Sequence, residues 1–264
     1  MKWPTRAAHD QLRLVVDALL AITLAPTCAA CTRVLEQPTS GPVCAPCWAT
    51  VARLTPPLCR QCGGTLPSWR VLDHFNQRCA SCRRRPDSAI VAGRTAGDYE
   101  GALREIVHAF KYEGRRALSL RLGTLMREAG HDLLDDAVCA VPVPLHPWRR
   151  FRRGFNQAGD LAAALQVPVV HALWRTRATA PQTGLSASGR RRNVSGAFAL
   201  SPFLSRASRR SMLVGQAIVL VDDVRTTGAT LEACARVLKD AGVREVRALT
   251  AARAAPPAHR ARRV

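Results

Sequence analysis

The first segment with a clear hydrophobic pattern lies near the amino terminus. Apolar residues recur there at helical spacing, at Leu12, Val15, Val16, Leu19, Leu20 and Ile22. This spacing predicts an amphipathic helix in residues 1–25, with its apolar face packed on the rest of the protein. The apolar stretch is too short to span a bilayer and is interrupted by Arg13 and Asp17, and no small-residue cleavage site follows it. We therefore expect no membrane span and a cytosolic location.

A different pattern begins after residue 86, where short runs of Val, Ala and Leu alternate with helical stretches. The clearest example is AIVLV at 217–221, followed by a polar loop and a helical stretch through Leu238. Gly242 is a suitable helix cap, and 243–250 then has the pattern of another strand. Strand, helix and strand in this order predict an α/β fold with a parallel sheet flanked by helices.

Eight of the ten cysteines form four C-x-x-C pairs, all before residue 83. Two residues between thiolates place both sulfurs on one side of a tight turn, as tetrahedral zinc sites require. The pairs predict a double zinc ribbon with two structural Zn²⁺ ions, and we favour sequential sharing of the ions over a crossed arrangement. Disulfides of a secreted domain are the alternative. The eight predicted ligands are Cys28, Cys31, Cys44, Cys47, Cys59, Cys62, Cys79 and Cys82.

The last two cysteines, Cys139 and Cys234, have apolar neighbours and are expected to be buried small hydrophobes. The domain order that follows is an amino-terminal helix at 1–25, a double ribbon at 26–85, the α/β domain at 86–254 and a basic disordered tail at 255–264.

The net charge of +20 is unevenly distributed. Residues 149–210 contain twelve Arg and one acid, Asp160. Such a stretch attracts phosphates or nucleic acid, although a solvated basic surface without a dedicated partner is the plainer alternative.

The segment IVLVDDVRTTGAT at 218–230 has the composition of an anion site at the start of a helix. The first N–H groups of a helix lack intrahelical partners and attract a phosphate, and a glycine allows close approach of the backbone. Asp222 and Asp223 come at the end of the predicted strand, where open α/β sheets bind ligands. A carboxylate pair suits a vicinal diol. In the alternative, the acids and threonines only cap the helix and its turn.

This segment resembles the phosphoribosyl pyrophosphate (PRPP) motif of type I phosphoribosyltransferases. The resemblance implies that Asp222 and Asp223 bind the ribose hydroxyls. It also implies that the following loop holds the 5-phosphate, through Thr226, Thr227, Gly228, Ala229 and Thr230.

Three further stretches are similar to the ComF family, which joins a double zinc ribbon to a phosphoribosyltransferase-like domain. They are YEGALREIVHAFKYEG at 99–114, VPVPLHPWRRFRRGFNQ at 141–157 and RTRATAPQTGLSASGRRRNVSGAF at 175–198, and the similarity runs from about Cys28 to Arg253. It implies a PRPP ligand bound with Mg²⁺ and a role in natural competence, with single-stranded DNA and DNA-uptake proteins as partners.

Several residues in these stretches are further candidates for contacts with ligand phosphates. His146 and Arg149 follow the rigid prolines of VPVP, although a histidine beside proline is often structural. The loop around 179–193 is expected to be mobile and to close over substrate, or else to be a basic linker; its candidates are Gln182, Arg190 and Asn193. Lys111 is one of only three lysines, and it pairs either with a phosphate or with a surface carboxylate.

Two functions fit these features, and we predict a PRPP-type pocket in a protein of DNA uptake, with an enzyme of nucleotide metabolism as the alternative. One is a phosphoribosyltransferase that transfers the ribosyl group of PRPP to a nitrogen nucleophile, with Asp222 and Asp223 holding the ribose. In nucleotide metabolism such an enzyme would have no role in DNA binding. The other is a PRPP-type binding pocket in a protein of DNA uptake, where zinc ribbons and an arginine-rich surface serve nucleic-acid binding.

Overall fold

The computed structural model describes residues 6–66, 77–177 and 196–254. The helices are α1 (Arg6–Thr23), α2 (Ala45–Ala49), α3 (Ala80–Arg83), α4 (Gly101–Tyr112), α5 (Leu118–Ala129), α6 (His131–Leu134), α7 (Pro147–Arg153), α8 (Gln157–Ala163), α9 (Arg206–Met212) and α10 (Ala229–Asp240). The strands are β1 (Ile90–Asp98), β2 (Cys139–Pro142), β3 (Leu173–Arg175), β4 (Phe198–Leu200), β5 (Ala217–Arg225) and β6 (Glu245–Arg253). A short 3₁₀ helix spans Pro38–Ser40.

Residue contacts divide the chain into two units. The first contains Met1–Ala52 and Glu100–Leu118, and the second contains Arg53–Tyr99 and Ser119–Val264. The first four cysteines of the C-x-x-C pairs are in the first unit and the last four are in the second. The domain borders expected at residues 25, 85 and 254 stay a prediction, and residues 255–264 lie outside the described part.

The second unit is built on a four-stranded sheet in the order β1-β6-β5-β2, in which every neighbouring pair is parallel. β3 and β4 form a separate antiparallel pair. The middle of β5 is apolar because the sheet is covered on both faces, and Ile218 and Leu220 are completely buried. The predicted α/β class with a parallel sheet is confirmed.

Helix α10 packs on the sheet through an apolar stripe that contains Leu231, Cys234 and Leu238. It ends before Gly242, whose φ of +98° favours glycine. Cys139 and Cys234 are completely buried in the same core, as predicted. Burial raises the pKa of the Cys139 thiol to about 11 and that of Cys234 well above its usual range. Both thiols therefore act as small apolar side chains.

The predicted amino-terminal helix is present as α1, but its expected packing is wrong. The apolar side chains at Leu12, Val15, Leu19 and Ile22 are more than half exposed, whereas Asp17 is buried. The reason is a set of side-chain hydrogen bonds that hold the polar side of α1 against residues 39 and 40. Among the described residues, no helix is long and apolar enough to cross a membrane.

Candidate functional site

The eight paired cysteines form two groups, Cys28 with Cys31, Cys44 and Cys47, and Cys59 with Cys62, Cys79 and Cys82. Within each group the ligand sulfurs all lie within 4.8 Å of one another. The Sγ atoms of Cys31 and Cys44 are 3.8 Å apart, and those of Cys62 and Cys79 are 3.7 Å apart. The predicted sequential pairing is confirmed, and none of the ten cysteines forms a disulfide.

The same local structure builds both groups, with the first cysteine pair shifted by 31 residues and the second pair by 35. Cys28 N–H donates to the carbonyl of Arg33 (2.8 Å), and Cys59 N–H donates to the carbonyl of Gly64 (2.7 Å). The third cysteine of each group donates its backbone N–H to the Sγ of the first, at 3.4 Å for Cys44 and 3.2 Å for Cys79. The two groups are therefore structural repeats of one hairpin-and-turn design.

These dimensions fit zinc. Four thiolates about 2.3 Å from one Zn²⁺ ion in a tetrahedron are separated by about 3.8 Å, which matches the observed sulfur separations. Four sulfurs complete the coordination shell and leave no position for a catalytic water. Both groups are thus compatible with structural zinc.

The turn of the second cysteine group lies directly on strand β1. Gly93 N–H donates to the carbonyl of Arg60 (2.8 Å). A Cβ placed on Gly63 would lie 2.8 Å from Cα of Arg94, and the φ of Gly63 is +68°. Glycine is required there because any side chain would push the turn off the strand.

The predicted anion segment forms the end of β5, a short loop and the start of α10. Gly228 is the residue that caps α10, with φ +76° and ψ 8°. Thr227 Oγ1 accepts a hydrogen bond from Ala229 N–H (3.4 Å). Thr226 is exposed, while Thr227 and Thr230 are half-buried. The loop thus places three threonines at the positive end of a twelve-residue helix.

Asp222 and Asp223 lie in the last part of strand β5 and not in the loop, and both are half-buried. Asp222 Oδ1 accepts the N–H of Asp223 (2.9 Å). The charge of Asp222 also contributes, after burial, to the raised pKa of Cys234.

Two threonines lie in register with Asp222 on neighbouring strands. Thr250 of β6 is opposite Asp222, and Thr95 of β1 is opposite Thr250. Both are almost completely buried, and their hydroxyl oxygens have no hydrogen-bond partner among the described residues. Buried hydroxyls normally have a partner, so this row is well suited to a bound water or ligand.

Two arginines that the sequence did not single out lie at the loop. Arg85 Nη1 donates to the carbonyl of Thr227 (3.3 Å) across 142 positions of the chain. Arg225 lies against the glycine of the loop, since a Cβ on Gly228 would be 3.0 Å from its Nη2. Arg225 was visible within the motif itself, whereas nothing in the local sequence marks Arg85.

The structure places the remaining candidates as follows. His146 Nδ1 accepts the N–H of Trp148 (3.3 Å) at the start of α7, which is the structural alternative considered for it. Arg149 lies in α7, but its side chain is outside the described part, as are Gln182, Arg190 and Asn193. Lys111 is in the last turn of α4, in the first unit, whereas the threonine-glycine loop is in the second.

A groove of about 920 Å³ opens beside the end of β2. Phe151, Trp174 and Phe203 line it, and Phe151 and Phe203 are more than four-fifths exposed. Trp174 and Phe203 meet edge to face, with ring centres 5.8 Å apart. The helices that supply part of its wall, α7 and α9, contain seven arginines between them. Phe155, which follows α7, is buried and does not line the groove.

The sheet, the diacid at the end of β5 and the threonine-glycine loop define a phosphoribosyltransferase-type domain. In agreement, the family model described as phosphoribosyl transferase domain matches residues 151–263. The chain is 32% identical to competence protein F of Haemophilus influenzae over 213 residues, which cover 75% of this chain and 85% of that protein.

Two further relatives match over a similar share of the chain. DNA utilization protein YhgH of Escherichia coli K12 is 34% identical over 74% of this chain and 83% of that protein. Competence protein ComFC of Bacillus subtilis is 27% identical over 76% of this chain and 79% of that protein. The chain belongs to the competence protein F, or ComF, family.

Proposed function

We propose that the second unit binds PRPP, or a related ribose 5-phosphate ligand, together with Mg²⁺, and that this binding serves the handling of single-stranded DNA during DNA uptake. The loop at Thr226–Thr230 is the main observation that supports this proposal. It combines a left-handed glycine, three hydroxyls and a helix amino terminus directly after two carboxylates. A phosphate and a vicinal diol joined by one ribose match this order of donors and acceptors.

The ribose end of the ligand would lie against Asp222 and Asp223. The carboxylate oxygens are also the ligands that Mg²⁺ prefers, and bound Mg²⁺ would neutralise part of the pyrophosphate charge. The unsatisfied hydroxyls of Thr95 and Thr250, in register with Asp222, support a polar ligand or ordered water at this level of the sheet. Arg85 and Arg225 add positive charge at the loop.

Two structural Zn²⁺ ions complete the proposal, one in each cysteine group. The reduced thiols agree with a cytoplasmic location, where disulfides are rare.

The proposed link to DNA uses the names of the relatives, competence protein F and DNA utilization protein, together with the aromatic groove. Single strands bind to surfaces that combine exposed aromatic rings with positive charge, because every base has a face that can stack. Phe151 and Phe203 provide exposed rings, and the sequences of α7 and α9 are rich in arginine. This combination favours single-stranded over double-stranded DNA.

The ligand proposal is tested by titration calorimetry of the intact protein with PRPP and Mg²⁺. We expect saturable binding at one site per chain, and loss of that binding in the Asp222→Asn, Asp223→Asn double variant. Asp240→Asn is the matched control, because Asp240 is an exposed acid at the other end of α10. Absence of binding in the wild type, or equal binding in the double variant, would refute the proposal. Release of pyrophosphate with a nitrogenous base would instead identify an active transferase.

A further inference from the structure

The polar side of helix α1 is hydrogen-bonded to the segment between Cys31 and Cys44 of the first cysteine group. Asp17, which is 3% exposed, accepts hydrogen bonds from the backbone N–H of Thr39 (2.8 Å) and from its hydroxyl (2.9 Å). Arg13 Nε donates to Thr39 Oγ1 (3.0 Å), and Arg13 Nη2 donates to Ser40 Oγ (2.9 Å). Because Arg13 and Asp17 are four residues apart, they lie on one side of the helix and fix its rotation.

The opposite side of α1 is an exposed apolar stripe. Leu12, Val15, Leu19 and Ile22 are 63%, 57%, 57% and 82% exposed. Surface helices of soluble proteins normally turn such a stripe toward the core. Here the hydrogen bonds of Asp17 turn the polar side of α1 toward the protein. The apolar stripe therefore faces outward and is available for a partner.

The spacing of the stripe identifies the kind of partner. Leu12, Val15, Leu19 and Ile22 follow one another at intervals of three, four and three residues, which is the a/d pattern of a coiled-coil seam. Asp17 then occupies the f position, on the side of the helix opposite the seam. The positions that flank the seam are uncharged and include Gln11, Val16 and Ala18.

We propose that this seam pairs with the same seam of a second copy, so that α1 is a dimerisation helix. A two-fold dimer brings the same patch of both subunits together, and the uncharged flanking positions bring no like charges into contact. The exposed parts of the seam and Val16 amount to roughly 500 Å² per chain, and two copies would bury about 1,000 Å², the size at which specific interfaces begin.

An anionic membrane surface is a less suitable partner for the same face. Helices that lie on such membranes carry rows of Lys and Arg beside the apolar stripe. Between Asp10 and Leu24 the only basic residue is Arg13, and its guanidinium is bound to Thr39 and Ser40. The chain's net charge of +20 opposes self-association at low salt, so the dimer should strengthen as salt screens that repulsion.

Sedimentation velocity of the full chain over a concentration series tests the proposal. We expect a monomer–dimer equilibrium that shifts toward dimer at higher salt. Leu19→Glu should weaken the dimer by about tenfold or more, because it buries an unpaired charge in the seam. Leu14→Glu is the matched control: Leu14 is 60% exposed but lies off the seam, so the dimer should persist.

Each remaining outcome contradicts the proposal. A wild-type chain that stays monomeric at all concentrations and salts would overturn it, as would a dimer that Leu19→Glu leaves unchanged. Binding of monomeric wild type to vesicles with anionic lipids, lost in Leu19→Glu, would assign the face to a lipid surface instead. Circular dichroism and zinc content verify the folding of both variants, and neither test depends on the proposed PRPP site.

Discussion

Arg85 and Thr227 are joined by a hydrogen bond of 3.3 Å from the guanidinium to the backbone carbonyl. Arg85 lies three residues after Cys82, the last ligand of the second cysteine group, and Thr227 lies in the proposed phosphate loop. The bond therefore links the segment that follows the second cysteine group to the loop that would hold the ligand.

From this link we expect Arg85→Ala to weaken PRPP binding about three- to tenfold, the net value of one exposed hydrogen bond together with a nearby positive charge. The measurement is titration calorimetry with Mg²⁺. Arg84→Ala removes a neighbouring charge that is also exposed and should have a smaller effect. Equal losses in the two variants would attribute the effect to general electrostatics and not to the contact with Thr227.

The conformation of Gly228 yields a second prediction. Alanine there must adopt φ +76° and approach Arg225, so we expect Gly228→Ala to lower the free energy of unfolding by about 1–2 kcal/mol and to weaken PRPP binding severalfold. Denaturant unfolding and calorimetry measure the two effects.

Gly215→Ala separates the two effects. Gly215 has a similar φ of +73°, and a Cβ there would meet nothing within 4 Å. It should reproduce the loss of stability and leave PRPP affinity unchanged. A loss of affinity in both variants would mean that the stability of the whole unit, and not the loop, governs binding.

Metal content provides a third prediction. The purified protein should contain two zinc ions per chain, and Cys28→Ser or Cys59→Ser should each reduce the content to about one, because three thiolates hold the ion much less tightly. Elemental analysis measures the content. Cys139→Ser, at a buried cysteine outside both groups, should retain two ions even though it destabilises the core. A wild-type content clearly below two would contradict the double-ribbon assignment.

The aromatic groove yields the fourth prediction. We expect the double variant Phe151→Ala, Phe203→Ala to bind single-stranded DNA about tenfold or more weakly, since each stacked base contributes about 1–3 kcal/mol. Fluorescence anisotropy with a labelled oligonucleotide measures the affinity. Leu120→Ala, another exposed apolar position, should have no effect.

The salt dependence of DNA affinity separates the contribution of base stacking from that of the arginine charges. Wild-type affinity should fall steeply with salt because the arginines of α7 and α9 displace counterions from the phosphates. The double variant should keep the same salt slope at lower affinity. If the double variant binds like the wild type, stacking in this groove does not hold the DNA.

Sequence patterns predicted the elements that depend on residues close together in the chain. The run AIVLV, the acids, the TTGAT loop and Gly242 specify a strand, a turn and a helix, and these appear as β5, the loop that follows it and α10. The C-x-x-C spacing likewise predicted both cysteine groups, because each tight turn brings two sulfurs together on its own. The pairing of the turns followed from their short separation in the chain.

Long-range contacts could not be predicted in this way. Arg85 is 142 positions from its partner, and the row formed by Thr95, Thr250 and Asp222 exists only because three distant strands align in one register. The orientation of α1 was predicted wrongly for the same reason. Periodicity identified its apolar face, but the hydrogen bonds between Asp17 and Thr39 decide which face turns inward.

The sequence by itself therefore determined the α/β class, the two cysteine centres and the phosphate-loop motif, because backbone geometry and residue spacing specify each of them over a short length of chain. The tertiary structure alone decided which distant side chains surround the loop, where the exposed aromatics form a groove and which side of α1 remains open. These features depend on strand register and helix rotation, which many weak contacts set together.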